Sequence, residues 1–247
     1  EDHGWTVIRL PAIAEDQDPI GRMPGQALWP ERYPVDELES IKNDIGSRAW
    51  TSLFEGSPQR DEDAMIKRDW IRWYNEAPPG TMRGGGIDTA TSKLTSADNM
   101  ALVDVCKDQE GFLYCDDVFC EKVSVTQFAQ HLSNRQRINP YLRVEIEANN
   151  AGEAVRQRVE ELSRQDGTNV PIKARQTTTD KVVRLMEFQH LIENGTLKFK
   201  KGNRRVAELV EHLIAFPQST IDDDVDALGF AIKAVQFKKK MATATLM

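Results

Sequence analysis

Three sets of carboxylates in this sequence are spaced in a way that could do chemistry. Asp88 follows Gly84, Gly85 and Gly86 at the end of a short β-patterned run, and glycines there admit a ligand or another backbone at close range. Glu145 and Glu147 alternate with Val144 and Ile146, so both acids point to one face of a strand, and the alternation alone does not choose between them. Asp222, Asp223, Asp224 and Asp226 open the final helical stretch, where Asp223 and Asp226 are three residues apart and share a face. Hard divalent cations take oxygen ligands, and three carboxylates from separate elements can hold two of them. Two such ions about 3.5–4 Å apart can activate a water and stabilise the leaving oxygen of a phosphodiester. Simpler readings stay open for each acid. Asp88 could cap a turn, Glu145 could be solvated or ion-paired, and the aspartate run could favour a helix N-terminus capped by Thr220.

The elements that must position these acids follow from periodicity. Residues 1–80 contain all five tryptophans and turn signals at Pro11, Pro19, Pro24, Pro30, Pro34 and Pro58, with helical spacing over 35–54 through Leu38, Ile41, Ile45 and Trp50. Ala77, Pro78, Pro79 and Gly80 then mark a break. This predicts a helical, loop-rich lead-in over 1–80 and a second unit over 81–247. In the second unit, strands are expected over 84–91, 100–106 and 112–119, the last two joined by a hairpin at residues 108–111. A helix over 125–137, a strand over 141–148 and a helix over 152–164 come next. A strand over 170–174 precedes helices over 179–192, 206–215 and 223–239. Three consecutive strands followed by alternating helix and strand imply an α/β protein with a mixed sheet flanked by helices, the element order of the RNase H-like fold.

Net charge is −7, which argues against nucleic-acid binding through overall electrostatics and leaves only local basic clusters for it. Lys198, Lys200, Lys201, Arg204 and Arg205 form one cluster, Lys238, Lys239 and Lys240 another, and Arg135, Arg137 and Arg143 a looser one. Cys106, Cys115 and Cys120 lack zinc-site spacing and read as buried small hydrophobes in a reducing compartment. No apolar run approaches the length of a membrane span, and no signal-peptide pattern appears at the start. The chain begins with Glu1 rather than methionine and reads as a piece of something longer.

Several segments together resemble one family, the large terminase subunit of tailed bacteriophages in its C-terminal nuclease part. They are residues 8–12; Gly21 and Arg22 with 25–32; 87–90 followed by Ser96, Ala97 and Asp98; Ile146 and Glu147 with Gly152; Asp180 and Lys181 with Arg184; and Phe216 and Pro217 leading to 222–228. They span nearly the whole chain in the family's order. The resemblance implies a nuclease that cuts concatemeric viral DNA during genome packaging, using two Mg2+ or Mn2+ ions. By that likeness the catalytic acids are Asp88, Glu147 rather than Glu145, and Asp223, with Asp226 as the alternative and Asp98 as a further acid near the metals. Asp88 would bridge the ions, and Lys181 and Arg184 would contact phosphates. Double-stranded DNA would be the substrate, in the cytoplasm of a bacterial host. The portal protein and small terminase subunit would be partners of the full-length protein.

Two departures from the family pattern matter. Ile221 stands where some relatives carry a histidine, and no phosphate-binding G-x-x-x-x-G-K-[S/T] loop occurs, so this stretch is expected to lack ATPase activity. Residues 1–80 would then be the end of the motor domain and its linker. A junction-resolvase or transposase-like nuclease, or a non-catalytic assembly or DNA-binding module, are the competing readings.

Overall fold

The computed structural model describes residues 8–57, 65–89, 98–219 and 222–236, with the side chains of Asp98 and Asn99 excepted. The Lys238, Lys239 and Lys240 cluster, Thr220 and Ile221 lie outside the described residues.

The lead-in folds around helix α1 (Val35–Leu53), where Leu38, Trp50 and Ala27 form a small core of their own. The helix breaks at Gly46, whose φ of 79° suits glycine. There the backbone N–H of Ser47 donates to Glu193 Oε2 at 2.7 Å, tying the lead-in to a later helix.

A single 3-10 turn (Arg68–Trp70) leads into seven strands: β1 (Trp73–Tyr74), β2 (Met82–Thr89), β3 (Asp98–Lys107), β4 (Leu113–Val123), β5 (Arg143–Glu147), β6 (Ile172–Arg175) and β7 (Leu197–Lys200). They form one sheet in the order β1-β7-β4-β3-β2-β5-β6. β2, β3 and β4 pair antiparallel, and the other pairs are parallel. Helices α2 (Val125–Ile138) and α3 (Asn150–Asp166) cover one face; α4 (Lys181–Glu193), α5 (Arg204–Ala215) and α6 (Asp223–Gln236) cover the other. The two-residue period of a strand does this sorting. On β3, Ala101, Val103 and Val105 join the core beneath α4–α6, while Met100 and Leu102 join the core beneath α2 and α3.

The expected order of helices and strands is present, with β1 and β7 added. Both are short, with two and four residues, and β7 alternates buried Leu197 and Phe199 with Lys198 and Lys200, which sequence reads as basic surface. The sheet reaches back past the break near residue 80, because β1 pairs with β7 and because Met65, Ile66 and Ile71 are buried in the larger core. The tightest packing is α6 on β2. An added Cβ at Gly86 would fall 2.0 Å from the carbonyl oxygen of Ala227 and 2.2 Å from the nitrogen of Ala231. Gly86, ahead of Asp88, therefore admits a helix backbone, while Gly85 faces the Tyr141 ring.

The looser arginine cluster is consumed by structure. Asp104, fully buried, accepts from Arg83, from Arg135 and from the Tyr141 hydroxyl at 2.7 Å. Arg137 pairs with Asp166, and Arg143 with Glu145 at 2.5 Å. Such partners are what buried charge requires. The three cysteines are free thiols, Cys106 and Cys115 buried and Cys120 half-buried. Among the described residues no helix is long and apolar enough to cross a membrane.

Candidate active site

β2, β4, β5 and β7 run in one direction, so their carboxyl ends share one end of the sheet. Asp88 pairs with Ala101, which pairs with Cys120, making a row across three strands. The start of α6 lies over this row. Burial and then the charges of Asp224 and Asp223 push the Cys120 thiol up to about 12. Burial, followed by Asp226, Asp223 and Glu147, pushes the Asp88 carboxyl up to about 8. The three acids expected from strand, strand and helix are therefore brought within electrostatic range of one another.

Glu145 and Glu147, equivalent by strand periodicity, differ in what stands around each. Glu145 is fully buried and paired with Arg143 and Arg175. Burial opposes its charge, but the hydrogen bond and attraction of Arg175, with Arg143, hold its carboxyl below the usual range. Glu147 is half-buried at the open end of β5. Its Oε2 accepts from Asn149 Nδ2 at 2.9 Å, and Arg184 approaches its Oε1 at 3.8 Å. If Glu147 is a ligand of the metal pair that the resemblance implies, Glu147→Gln should lower DNA nicking about a hundredfold with little change in melting temperature. Glu145→Gln should lower stability by about 2–3 kcal/mol, since two guanidiniums lose their counter-charge, while nicking stays within about tenfold. Thermal melts and a nicking assay on both variants check this.

On α6, Asp226 is buried and accepts from Arg184 at 2.6 Å, with Lys181 at 3.8 Å. Burial pushes its carboxyl up to about 6, against the pull of Arg184 and Lys181. Asp223 is half-buried and ranks next after Asp226 among the charges acting on Asp88. Lys181 donates to Asp222 at 2.5 Å. Lys181 and Arg184 are thus bound to the acids themselves. Among the described residues, no group of three or more acids, histidines and cysteines stands ready to hold a metal ion. Even so, five carboxylates (Asp88, Glu147, Asp222, Asp223 and Asp226) gather here around Lys181 and Arg184. Burial and this crowding of negative charge raise Asp88, and such a donor set suits a divalent cation. Asp98 pairs through its backbone with Val123; its side chain lies outside the described residues.

Two residues escaped the sequence reading. Asn149 caps α3, accepting from the Gly152 N–H at 2.7 Å, while its amide donates to Glu147. Gly152 has its own reason: a Cβ there would stand 2.2 Å from the Glu147 carbonyl oxygen. An Asn three residues before a Gly at a helix start was the available signal. The other is His212, whose Nδ1 lies 2.7 Å from Asp224 Oδ2 and ties α5 to the first turn of α6. No sequence spacing predicts that contact.

The basic cluster lies along the far side of the sheet from Glu147. Lys198 sits over the Phe112 ring at 4.2 Å and Lys200 is 3.4 Å from Asp116. Lys201 is exposed in the turn after β7; Arg204 bonds Glu208 at 2.9 Å, and Arg205 reaches Glu121 at 2.8 Å.

The mixed sheet, its helices on both faces and the carboxylates at one end define an RNase H-like protein. A family model described as the terminase RNaseH-like domain matches residues 85–234, more than half of the chain, and the chain belongs to that family. Among solved structures, the large terminase of a thermophilic bacteriophage is similar at 10% identity with a TM-score of 0.58, covering 82% of this chain and 52% of that one. The chain thus spans about half the length of that terminase. The nuclease domain of the human cytomegalovirus terminase, Mn soaked and inhibitor bound, shares 14% identity over 69% of this chain and 94% of that one, with a TM-score of 0.49. The large terminase nuclease of the thermophilic phage G20c, with bound cobalt, shares 11% over 70% and 98%, with a TM-score of 0.48. No curated protein sequence matches significantly.

Proposed function

We propose that this chain is a metal-dependent DNA endonuclease, the cutting part of a large terminase that cleaves concatemeric viral DNA during genome packaging. The observation that carries it is the meeting of Asp88, Glu147 and Asp223 from β2, β5 and α6 at one end of the sheet, with Asp88 pushed up to about 8 by burial and by Asp226, Asp223 and Glu147. Two Mg2+ or Mn2+ ions would supply Lewis acidity and a water that ionises near neutral pH. Asp88 would be shared between them, Glu147 would complete one ligand set and Asp223 the other, with Asp226 as the alternative.

Lys181 and Arg184 hold Asp222 and Asp226 without metal. With ions bound by the acids, these two side chains would be free to meet the phosphates. Asn149 holds the Glu147 carboxylate in place, and the His212–Asp224 contact fixes the turn that carries Asp223. The lead-in up to about residue 80 is read as the end of a motor region and its linker, with no ATPase activity in this stretch. Double-stranded DNA is the substrate in the cytoplasm of a bacterial host, and the portal protein and small terminase subunit are partners of the longer protein.

The test is nicking of supercoiled plasmid by the 247-residue chain across a Mn2+ and Mg2+ series. Cutting should appear at millimolar metal and vanish in EDTA. Cutting that persists in EDTA, or none with either metal, would overturn the reading.

A further inference from the structure

Trp73 is 45% exposed although it lies in a strand of the sheet. β1 is the edge, and the indole stands against Phe199 with ring centroids 6.3 Å apart. On one side of the indole is a cleft of about 330 Å3 lined by Trp73, Lys201, Gly202, Asn203, Arg204 and Ala207, with no acid among them. Among the described residues no carboxylate pairs with Lys201, and the Arg204 side chain is 90% exposed although its Nε meets Glu208. A second cleft of about 500 Å3 that the indole also lines holds Arg72 and Lys198 together with Glu76. The indole is therefore a flat apolar face beside the cationic wall of Lys201 and Arg204, on a protein whose net charge is −7.

We propose that this edge is a second nucleic-acid site, which takes an unpaired nucleotide of DNA. A base stacks on Trp73, and Lys201 and Arg204 hold the phosphates beside it. Stacking on an aromatic ring needs an exposed base face, which a duplex does not offer, so the occupant is single-stranded DNA. A protein partner could use the exposed indole, but the acid-free lining of the Lys201 and Arg204 cleft favours a polyanion. β1 lies four strand positions from β2, about 19 Å at ordinary strand spacing. One DNA could then reach both places, with a frayed or newly cut strand held at the edge. That last step rests on the endonuclease reading; the binding site does not.

The experiment is anisotropy with a labelled oligodeoxythymidylate of about 12 nucleotides, in EDTA, against the 247-residue chain. Trp73→Ala should weaken binding about tenfold, and Trp73→Phe should restore most of it. Lys201→Ala with Arg204→Ala should weaken binding and flatten its salt dependence. Duplex of the same length should bind with no dependence on Trp73. Parent-like binding by Trp73→Ala, no single-strand binding at all, or equal loss for duplex would each overturn the site, and the second outcome would leave the indole to a protein partner. Nicking in Mn2+ is read on the same variants. Single-strand binding without nicking counts against the endonuclease alone, and nicking without single-strand binding against this site alone.

Discussion

Asp88→Asn is expected to abolish plasmid nicking, by at least about a thousandfold, and to make the metal-free protein more stable at pH 8. The loss follows if Asp88 is shared by both ions, because several kcal/mol of transition-state stabilisation then passes through one side chain. The gain follows from the raised carboxyl. In the unfolded chain Asp88 ionises near its ordinary value of 3.8, whereas in the folded protein it keeps its proton up to about 8. Between those values the folded state binds more protons, so stability falls as pH rises from about 4 to about 8. Asparagine carries no such penalty. The difference is on the order of a few kcal/mol, which corresponds to roughly 5–10 °C in Tm for a chain of this size. Melts in EDTA at pH 4 and pH 8 read it directly: parent and variant should converge near pH 4 and separate at pH 8. Mn2+ should raise the parent's Tm at pH 8 and leave the variant nearly unmoved. A variant that still nicks, or that melts below the parent at pH 8, would remove Asp88 from the centre of the site.

The second large effect belongs to Gly86. A methyl there would stand 2.0 Å from the Ala227 carbonyl oxygen and 2.2 Å from the Ala231 nitrogen, both backbone atoms of α6. Side chains can turn aside, but a helix backbone can only move. Gly86→Ala should therefore cost at least about 3 kcal/mol and lower Tm by about 10 °C. Activity should fall further than stability does, because shifting α6 carries Asp223 and Asp226 away from Asp88, and a misplacement of about 1 Å can cost a hundredfold. Gly85→Ala is the control. Its Cβ would meet the Tyr141 ring at 3.1 Å, a side chain able to give, and the cost should be smaller. Circular dichroism melts of the two variants separate the cases, and equal Tm values would mean that α6 does not sit so closely on β2.

The tryptophan edge and the acidic end give the sheet different tasks. Asp88 and Glu147 hang from neighbouring central strands, where pairing on both sides fixes the backbone. Trp73 sits on a two-residue strand at the margin, where pairing ends and a ring can stay open to solvent. Lys201 and Arg204 follow in the turn and helix after β7, the strand next to it.

Much of this was legible before any fold existed. The run of apolar and polar residues around Val144 and Ile146 specifies a strand that buries one face, because a strand alternates with a period of two whatever surrounds it. The helix expected over 152–164 is written in its apolar positions, and the structure extends it over Asn150–Asp166. Four aspartates in five positions mark the start of α6 in the same local way. Such features depend on neighbours in sequence, and neighbours in sequence are what a sequence lists. Choices between equivalent residues were of another kind. Glu145 and Glu147 are the same residue type on the same face of one strand; Arg143 and Arg175 neutralise the first, and Asn149 and Arg184 attend the second. The three glycines before Asp88 could have admitted a ligand; Gly84 and Gly86 admit α6, and Gly85 faces the Tyr141 ring. Lys181 and Arg184, expected to face phosphates, lie against Asp222 and Asp226. β1 and Trp73 carried no periodic signal, since two residues cannot show a period. Most of these contacts are made by atoms that lie tens of residues or more apart in the chain, and only the packed chain brings them within reach.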